Sequence, residues 1–205
     1  MTSRHLLVAA ALGIAAAFAL PGADIPRQAP NMTFKMPGGG VIDLTQHKGK
    51  VVALEFLITT CPHCQKASQI LQKMQDEYGP KGFQALGVAT NDMAHMLVPD
   101  YVKNFGLRFP VGFAPREQAH EFLQHPMMLI MYVPQLVFLD RKGTIRAQHA
   151  GGSDFFKEEE KNVRAKIEEL LKEPAGGVQS RGRGASSRAP SPGAAAAKAP
   201  VKKAS

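Results

Sequence analysis

Cys61 and Cys64 are the only two cysteines in a chain of 205 residues, and they stand three positions apart. A disulfide between them would close so short a loop that it would restrain the unfolded chain little, so the pair suits chemistry better than stapling. The segment Thr60-Cys61-Pro62-His63-Cys64 lies where an apolar run gives way to a helical pattern. At a helix start, backbone N–H groups lack intrahelical partners and the dipole is positive, which favours a thiolate there. Pro62 suits the first turn because its missing N–H is not needed. His63 can place positive charge or a hydrogen bond beside the sulfur. The expectation is that Cys61 is the exposed attacking thiolate and Cys64 the buried resolving thiol, with exchange running through a mixed disulfide.

These groups must be held by the elements around them. Val51 to Ile58 is apolar except for Glu55, which predicts a strand buried on both faces. Thr59-Thr60 ends it and is expected to cap the helix that follows. Ala67, Ile70, Leu71, Met74 and Tyr78 trace one face of that helix, and Gly79-Pro80 stops it. Ahead of the strand, Met32–Met36 and Val41–Leu44 flank Pro37-Gly38-Gly39-Gly40 as a β-hairpin. After the helix, Phe83–Ala89 reads as a strand, Asp100–Phe105 as a short helix and Phe109–Phe113 as a strand. Arg116–Leu123 reads as a helix, and Gln135–Leu139 with Thr144–His149 as a hairpin. Ser153 or Asp154 is expected to cap a last helix striped by Val163, Ile167, Leu170 and Leu171. The order predicts an α/β fold: a central mixed sheet with helices on both faces and an N-terminal β-hairpin.

The ends have a different composition. Arg4 and His5 precede an uncharged apolar run from Leu6 to Leu20, with a small-x-small site at Ala17-Phe18-Ala19. Residues 1–19 are therefore expected to be an export signal, with an uncleaved anchor as the alternative. Residues 20–30 read as a Pro-rich linker and 31–173 as the folded domain. From 174 to 205, Ala, Gly, Ser and Pro mix with six basic residues and no acid, which predicts a disordered basic tail. The net charge of +8 thus belongs mainly to that tail, and the folded part is near neutral. A nucleic-acid partner is not expected; weak contact of the tail with a membrane surface is. The expected location is the periplasm or cell envelope of a bacterium.

From about Ala29 to Leu171 the chain resembles the TlpA/ResA-like branch of the thioredoxin superfamily. "KGKVVALEFLITTCPHC" resembles that branch's pre-helix strand and active site. "FQALGVATND" and "YVKNFGLRFPVGF" resemble its inserted segment, and "VPQLVFLDRKGTIRAQHAGG" its closing hairpin. The resemblance implies a thioredoxin-like fold and a protein-disulfide oxidoreductase without a cofactor. Its partners would be cysteine-containing exported proteins and a redox-recycling protein. It implies that Val133-Pro134 is the cis-proline position facing the cysteines, where the Val133 backbone would pair with an extended substrate. Glu55 matches the superfamily's buried acid; desolvated, it would take and return the Cys64 proton. The alternative is a Glu reaching water at the strand edge. Two features depart from the branch. There is no tryptophan, so Thr60 replaces the aromatic residue before the first cysteine and would alter the partner groove. The Pro-His dipeptide and the Val before the proline resemble the oxidase DsbA, so oxidising and reducing poises both stay open.

Other chemistries are weighed on the same residues. Zinc needs about four ligands, and the sequence has neither a second CxxC nor a paired-His motif. Copper would suit the thiolates, with His95, Met96, His125, Met127, Met128 and Met131 as further soft or imidazole groups, so a copper-binding or delivery protein is an alternative. Met at these spacings is also ordinary core filler. A peroxiredoxin-like peroxidase is another alternative, although the Pro-x-x-x-Thr-x-x-Cys pattern is absent. A non-catalytic domain whose disulfide shapes a surface is a third. His47, His120 and His149 are expected to be surface or hydrogen-bonded residues. Nothing suggests a nucleotide, haem or flavin site.

Overall fold

The computed structural model describes residues 24–174. In chain order its elements are β1 (Arg27–Gln28), β2 (Thr33–Lys35), β3 (Val41–Asp43), β4 (Val51–Leu57), α1 (Pro62–Tyr78), β5 (Phe83–Ala89), α2 (Ala94–Asn104), β6 (Val111–Phe113), α3 (Arg116–Leu123), β7 (Gln135–Leu139), β8 (Thr144–His149) and α4 (Glu159–Lys172). The expected signal at 1–19, the first residues of the linker and the tail from 175 onward lie outside the described residues.

The strands form one sheet in the order β1-β8-β7-β4-β5-β6-β2-β3. Parallel β4, β5 and β6 are joined by helices, and β7 and β8 run antiparallel to close the sheet beside β4. Every residue of β4 is buried, Glu55 included, as expected for a run apolar at its other positions. Alternate β4 side chains enter two separate cores. Val51, Ala53 and Leu57 pack with α1, α2 and α4. Val52, Leu54 and Phe56 pack with Met32, Phe34 and α3 residues Phe122 and Leu123. The mixed sheet covered on both faces is thus the arrangement the element order predicts. Its parallel strands end at one edge, where the β4–α1 turn, the β5–α2 turn, the approach to β7 and the exit from β8 all meet.

Four expectations are corrected in detail. Arg27–Gln28, placed in the linker by sequence, pairs with Ile145 and Thr144 as an edge strand. Two residues are too few to show a period of two, and tertiary bonds hold the strand: Arg27 donates to the Phe122 carbonyl (2.9 Å) and to Gln148 (3.1 Å). Helix α2 begins at Ala94, not Asp100, and runs through Pro99. Proline removes one donor, but burial of Val98 and Tyr101 carries the helix past it. Neither Thr59 nor Thr60 caps α1; Cys61 itself is the N-cap, with no side-chain cap bond. Ser153 heads a 3₁₀ turn over Asp154–Glu158 rather than α4, which starts at Glu159.

Candidate active site

The chain leaves β4 at Leu57 and turns into α1 within a few residues. That turn is clamped from two sides. Asn91, after β5, accepts from the Thr59 N–H (3.0 Å) and donates to the Thr59 hydroxyl (3.2 Å). Gln65 donates to the Thr59 carbonyl (3.1 Å), and the Cys61 N–H to the Ile58 carbonyl (3.0 Å). Cys61 is partly exposed at the N-terminus of α1, and Pro62 takes the first helical position. Pro62, His63 and Thr60 are exposed. Cys64, one turn into the helix, has no exposed surface. Both cysteines are free thiols here.

Glu55 is fully buried, so the strand-edge alternative is excluded. Burial holds its carboxyl well above the usual range; Ser68 opposes that shift, and the charges of Glu159 and Cys61 add to it. Burial, and next the Glu55 charge, push the Cys64 thiol far up as well. An ionised carboxylate and an ionised thiolate are thus both costly here, so one proton shared between them is favoured over none. The sequence therefore brings a solvent-facing sulfur, a shielded sulfur and a proton-holding acid to the start of one helix.

Val133–Pro134 is a cis peptide at the approach to β7. It lines a groove of about 450 Å³ with His63, Tyr132, Phe156 and Glu159. Gly151, at the exit from β8, lies against it: a Cβ there would fall 2.4 Å from the Val133 carbonyl oxygen. In the segment just before Val133 in the chain, Met127, Met128, Leu129, Ile130 and Tyr132 are all exposed, Met128 by 96%. On the other side of the turn, Met93, Met96 and Leu97 are exposed too.

The residues expected to carry thiol–disulfide exchange fall at the β4–α1 junction (Glu55, Thr60, Cys61, Pro62, His63, Cys64) or in the facing groove (Val133, Pro134). His95, Met96, His125, Met127, Met128 and Met131, weighed as copper ligands, lie outside the groove lining. Among the described residues no group of three or more His, Cys, Asp or Glu could hold a metal ion. His120 is buried, accepts from Arg116 through Nε2 (3.2 Å) and bonds the His125 carbonyl through Nδ1 (3.1 Å). His149 stacks on Phe155, and its buried Nε2 has no partner among the described residues. Sequence reading missed Ser68, Tyr101, Asn91 and Glu159. Ser68 was findable, standing four positions after Cys64 and hence on the same helix face. Glu159 was not: it comes from the far end of the chain. It is 5% exposed, and its Oε2 lies 3.4 Å from the Lys66 Nζ.

A sheet of this order, with a Cys-x-x-Cys helix start facing a cis-proline loop, defines a thioredoxin-like protein of the TlpA/ResA-like kind. The Redoxin family profile matches residues 26–167, and the chain belongs to that family. It is 32% identical over 89 residues to the thiol-disulfide oxidoreductase ResA of Bacillus thuringiensis subsp. konkukian, covering 43% of this chain and 51% of that protein. It is 27% identical over 126 residues to the thioredoxin-like protein YneN of Bacillus subtilis, covering 61% and 71%. The match thus spans about half the length of the ResA relative. A thiol:disulfide interchange protein of the thioredoxin family from Chlorobium tepidum shares the fold, with TM-score 0.61 and 23% identity over 71% of this chain and 97% of that one.

Proposed function

We propose that this chain is an exported thiol:disulfide oxidoreductase that exchanges electrons with protein cysteines through Cys61 and Cys64. One observation carries the reading: a partly exposed sulfur at the head of α1 stands one turn from a fully buried one, above a buried carboxyl. In the reducing direction, the Cys61 thiolate attacks one sulfur of a partner disulfide. The partner's other sulfur leaves with the bonding electron pair and is protonated. Cys64 then gives its proton to Glu55 and attacks the Cys61 sulfur; the Cys61–partner bond breaks, and the partner's second thiolate leaves. Two electrons pass to the partner, and Cys61–Cys64 is left as a disulfide. The oxidising direction is the same sequence reversed.

Supporting a polypeptide partner, the groove at Val133–Pro134 includes exposed Tyr132 and is preceded in the chain by the exposed apolar Met127–Ile130, which suit an extended segment better than a small disulfide. His63 stands at the rim as a charge or hydrogen-bond donor for the Cys61 sulfur. Export is supported by the signal pattern at 1–19; on this reading the folded domain works in the periplasm or cell envelope, and the basic tail makes weak contact with anionic surfaces. A separate redox protein would recycle the pair.

Catalysed reduction of insulin disulfides by dithiothreitol tests the reading. The wild type should accelerate it, Cys61→Ser should fall to the uncatalysed rate, and Cys64→Ser should accumulate mixed disulfides. A Cys61→Ser variant as fast as the wild type would refute the mechanism. The couple's equilibrium with glutathione then gives the direction: a potential near about −120 mV marks an oxidase, and one near about −270 mV a reductase.

A further inference from the structure

Three polar side chains are buried together beneath the cysteines, and exchange as described uses only one of them. The Ser68 hydroxyl lies 2.6 Å from Glu55 Oε2, and the Tyr101 hydroxyl lies 2.8 Å from Ser68 Oγ. Ser68 has no exposed surface and Tyr101 only 3%. Glu55 Oε1 has no partner among the described residues. The chain crosses three elements: Glu55 from β4, Ser68 from α1 and Tyr101 from α2.

We propose that Ser68 and Tyr101 are positioning residues: a two-hydroxyl chain that holds Glu55 and fixes the pH at which its carboxyl can take the Cys64 proton. This deepens the exchange reading and rests on it.

The geometry allows the chain to serve both states of the acid. With Glu55 ionised, Tyr101 donates to Ser68 and Ser68 donates to Oε2, so both dipoles point at the charge. With Glu55 protonated on Oε2, the donors reverse: the carboxyl donates to Ser68, and Ser68 to the Tyr101 oxygen. The switch rotates two hydroxyl hydrogens and moves no heavy atom. The other groups facing Glu55 do not help it ionise. Glu159 from α4 and Cys61 at the head of α1 oppose a second negative charge, and Cys64 does so once it is a thiolate. Gly87 and Leu136, its neighbours on β5 and β7, carry no titratable group. Ser68 is thus the group that favours the carboxylate, and Tyr101 is the donor that leaves the Ser68 hydrogen free to point at it. Replacing buried polar groups by apolar ones of similar volume is often neutral or stabilising, so three of them together beneath a thiol fit a role in proton transfer better than one in stability.

In the mixed disulfide, the Cys64 S–H proton passes to the Glu55 carboxylate. The Cys64 sulfur bonds to Cys61 Sγ, the Cys61–partner bond breaks, and the partner thiolate leaves with the electron pair and later takes a proton.

Reaction of the reduced full-length protein with 5,5′-dithiobis(2-nitrobenzoate) separates the stages. A first release of thionitrobenzoate reports attack by Cys61, and a second reports resolution by Cys64. Followed against pH, the second phase of the wild type should rise along a limb set by Glu55. Glu55→Gln should lose that limb. Ser68→Ala should move its midpoint to higher pH by roughly one to two units, the scale of one lost hydrogen bond to a charged group. Tyr101→Phe should move it the same way by less, and Ser68→Thr, which restores the hydroxyl, should bring it back. The first phase should not shift. If Ser68→Ala does not fold, Tyr101→Phe decides the matter, since it removes a single oxygen. An unmoved midpoint in a folded Tyr101→Phe protein, with the rate lowered equally at every pH, would overturn the proposal and leave exchange intact. A wild type with no second phase would instead sink the exchange reading and the proposal with it.

Discussion

Along β4, Val52, Leu54 and Phe56 enter the core beneath α3, while Val51, Ala53, Glu55 and Leu57 face α1, α2 and α4. The α3 side is hydrocarbon at its centre, where the Phe56 and Phe122 rings meet with centroids 5.5 Å apart. The one fully enclosed polar side chain of α3, His120, has both ring nitrogens engaged. The α1 side holds Glu55 with one oxygen unpaired, Ser68, Tyr101 and the shielded Cys64. Both faces are equally shut off from water, so burial alone does not explain the difference. A buried carboxyl is expensive, and Glu55, with no exposed surface, lies on the side that also holds the buried Cys64 thiol. One face of the strand is apolar packing; the other carries buried polar groups whose cost the proposed proton transfer would explain.

The largest effect expected from this contrast is on the hydrocarbon side. Phe56→Ala should cost about 3–5 kcal/mol in urea unfolding, through lost burial and the cavity left behind. It should leave the pH dependence of Cys64 resolution where it was. A loss under about 1 kcal/mol would mean that this core collapses around the gap, and the faces would be less distinct than their composition implies.

A smaller and opposite effect is expected for Glu55→Gln. The folded carboxyl has a raised pKa, so its contribution is fully present below the ordinary value of 4.5 and is lost as pH rises toward the folded pKa. Across that window the wild type should lose up to about 1.4 kcal/mol per pH unit from this group, and Glu55→Gln should flatten the slope and be the more stable protein at neutral pH. Unfolding measured at a series of pH values checks this. A Glu55→Gln protein weakened as much as Phe56→Ala, with the wild-type slope, would erase the contrast.

The smallest effect concerns His149, on the same side as Glu55 and stacked on Phe155 at 3.8 Å. Burial, aided by Lys166, lowers its pKa to about 4. Its neutral form is favoured in the fold, so its contribution is intact above the unfolded value of 6.5 and is lost as pH falls toward about 4. His149→Phe should keep the stacking and reduce the acid sensitivity of unfolding between those values. An unchanged acid limb would show that other groups set it.

Much of this was readable from residue order. The run at 51–58, apolar except for Glu55, reads as a strand covered on both sides, and its junction with a helical stripe places Cys61 and Cys64 at a helix start. Glu55 stood out because it was the one charge in that run. These are local signals, carried by periodicity and spacing within a few residues. Only the tertiary structure decided which groups surround the acid. Tyr101 and Glu159 come from α2 and α4, far from β4 in sequence, and no local pattern records that these helices converge on α1. For the same reason β1 read as linker: two residues have no period of their own, and β8 and Arg27 supply its bonds. Pattern along a chain fixes which way a side chain faces, but its partner comes from packing, which brings distant segments together only once the whole core closes.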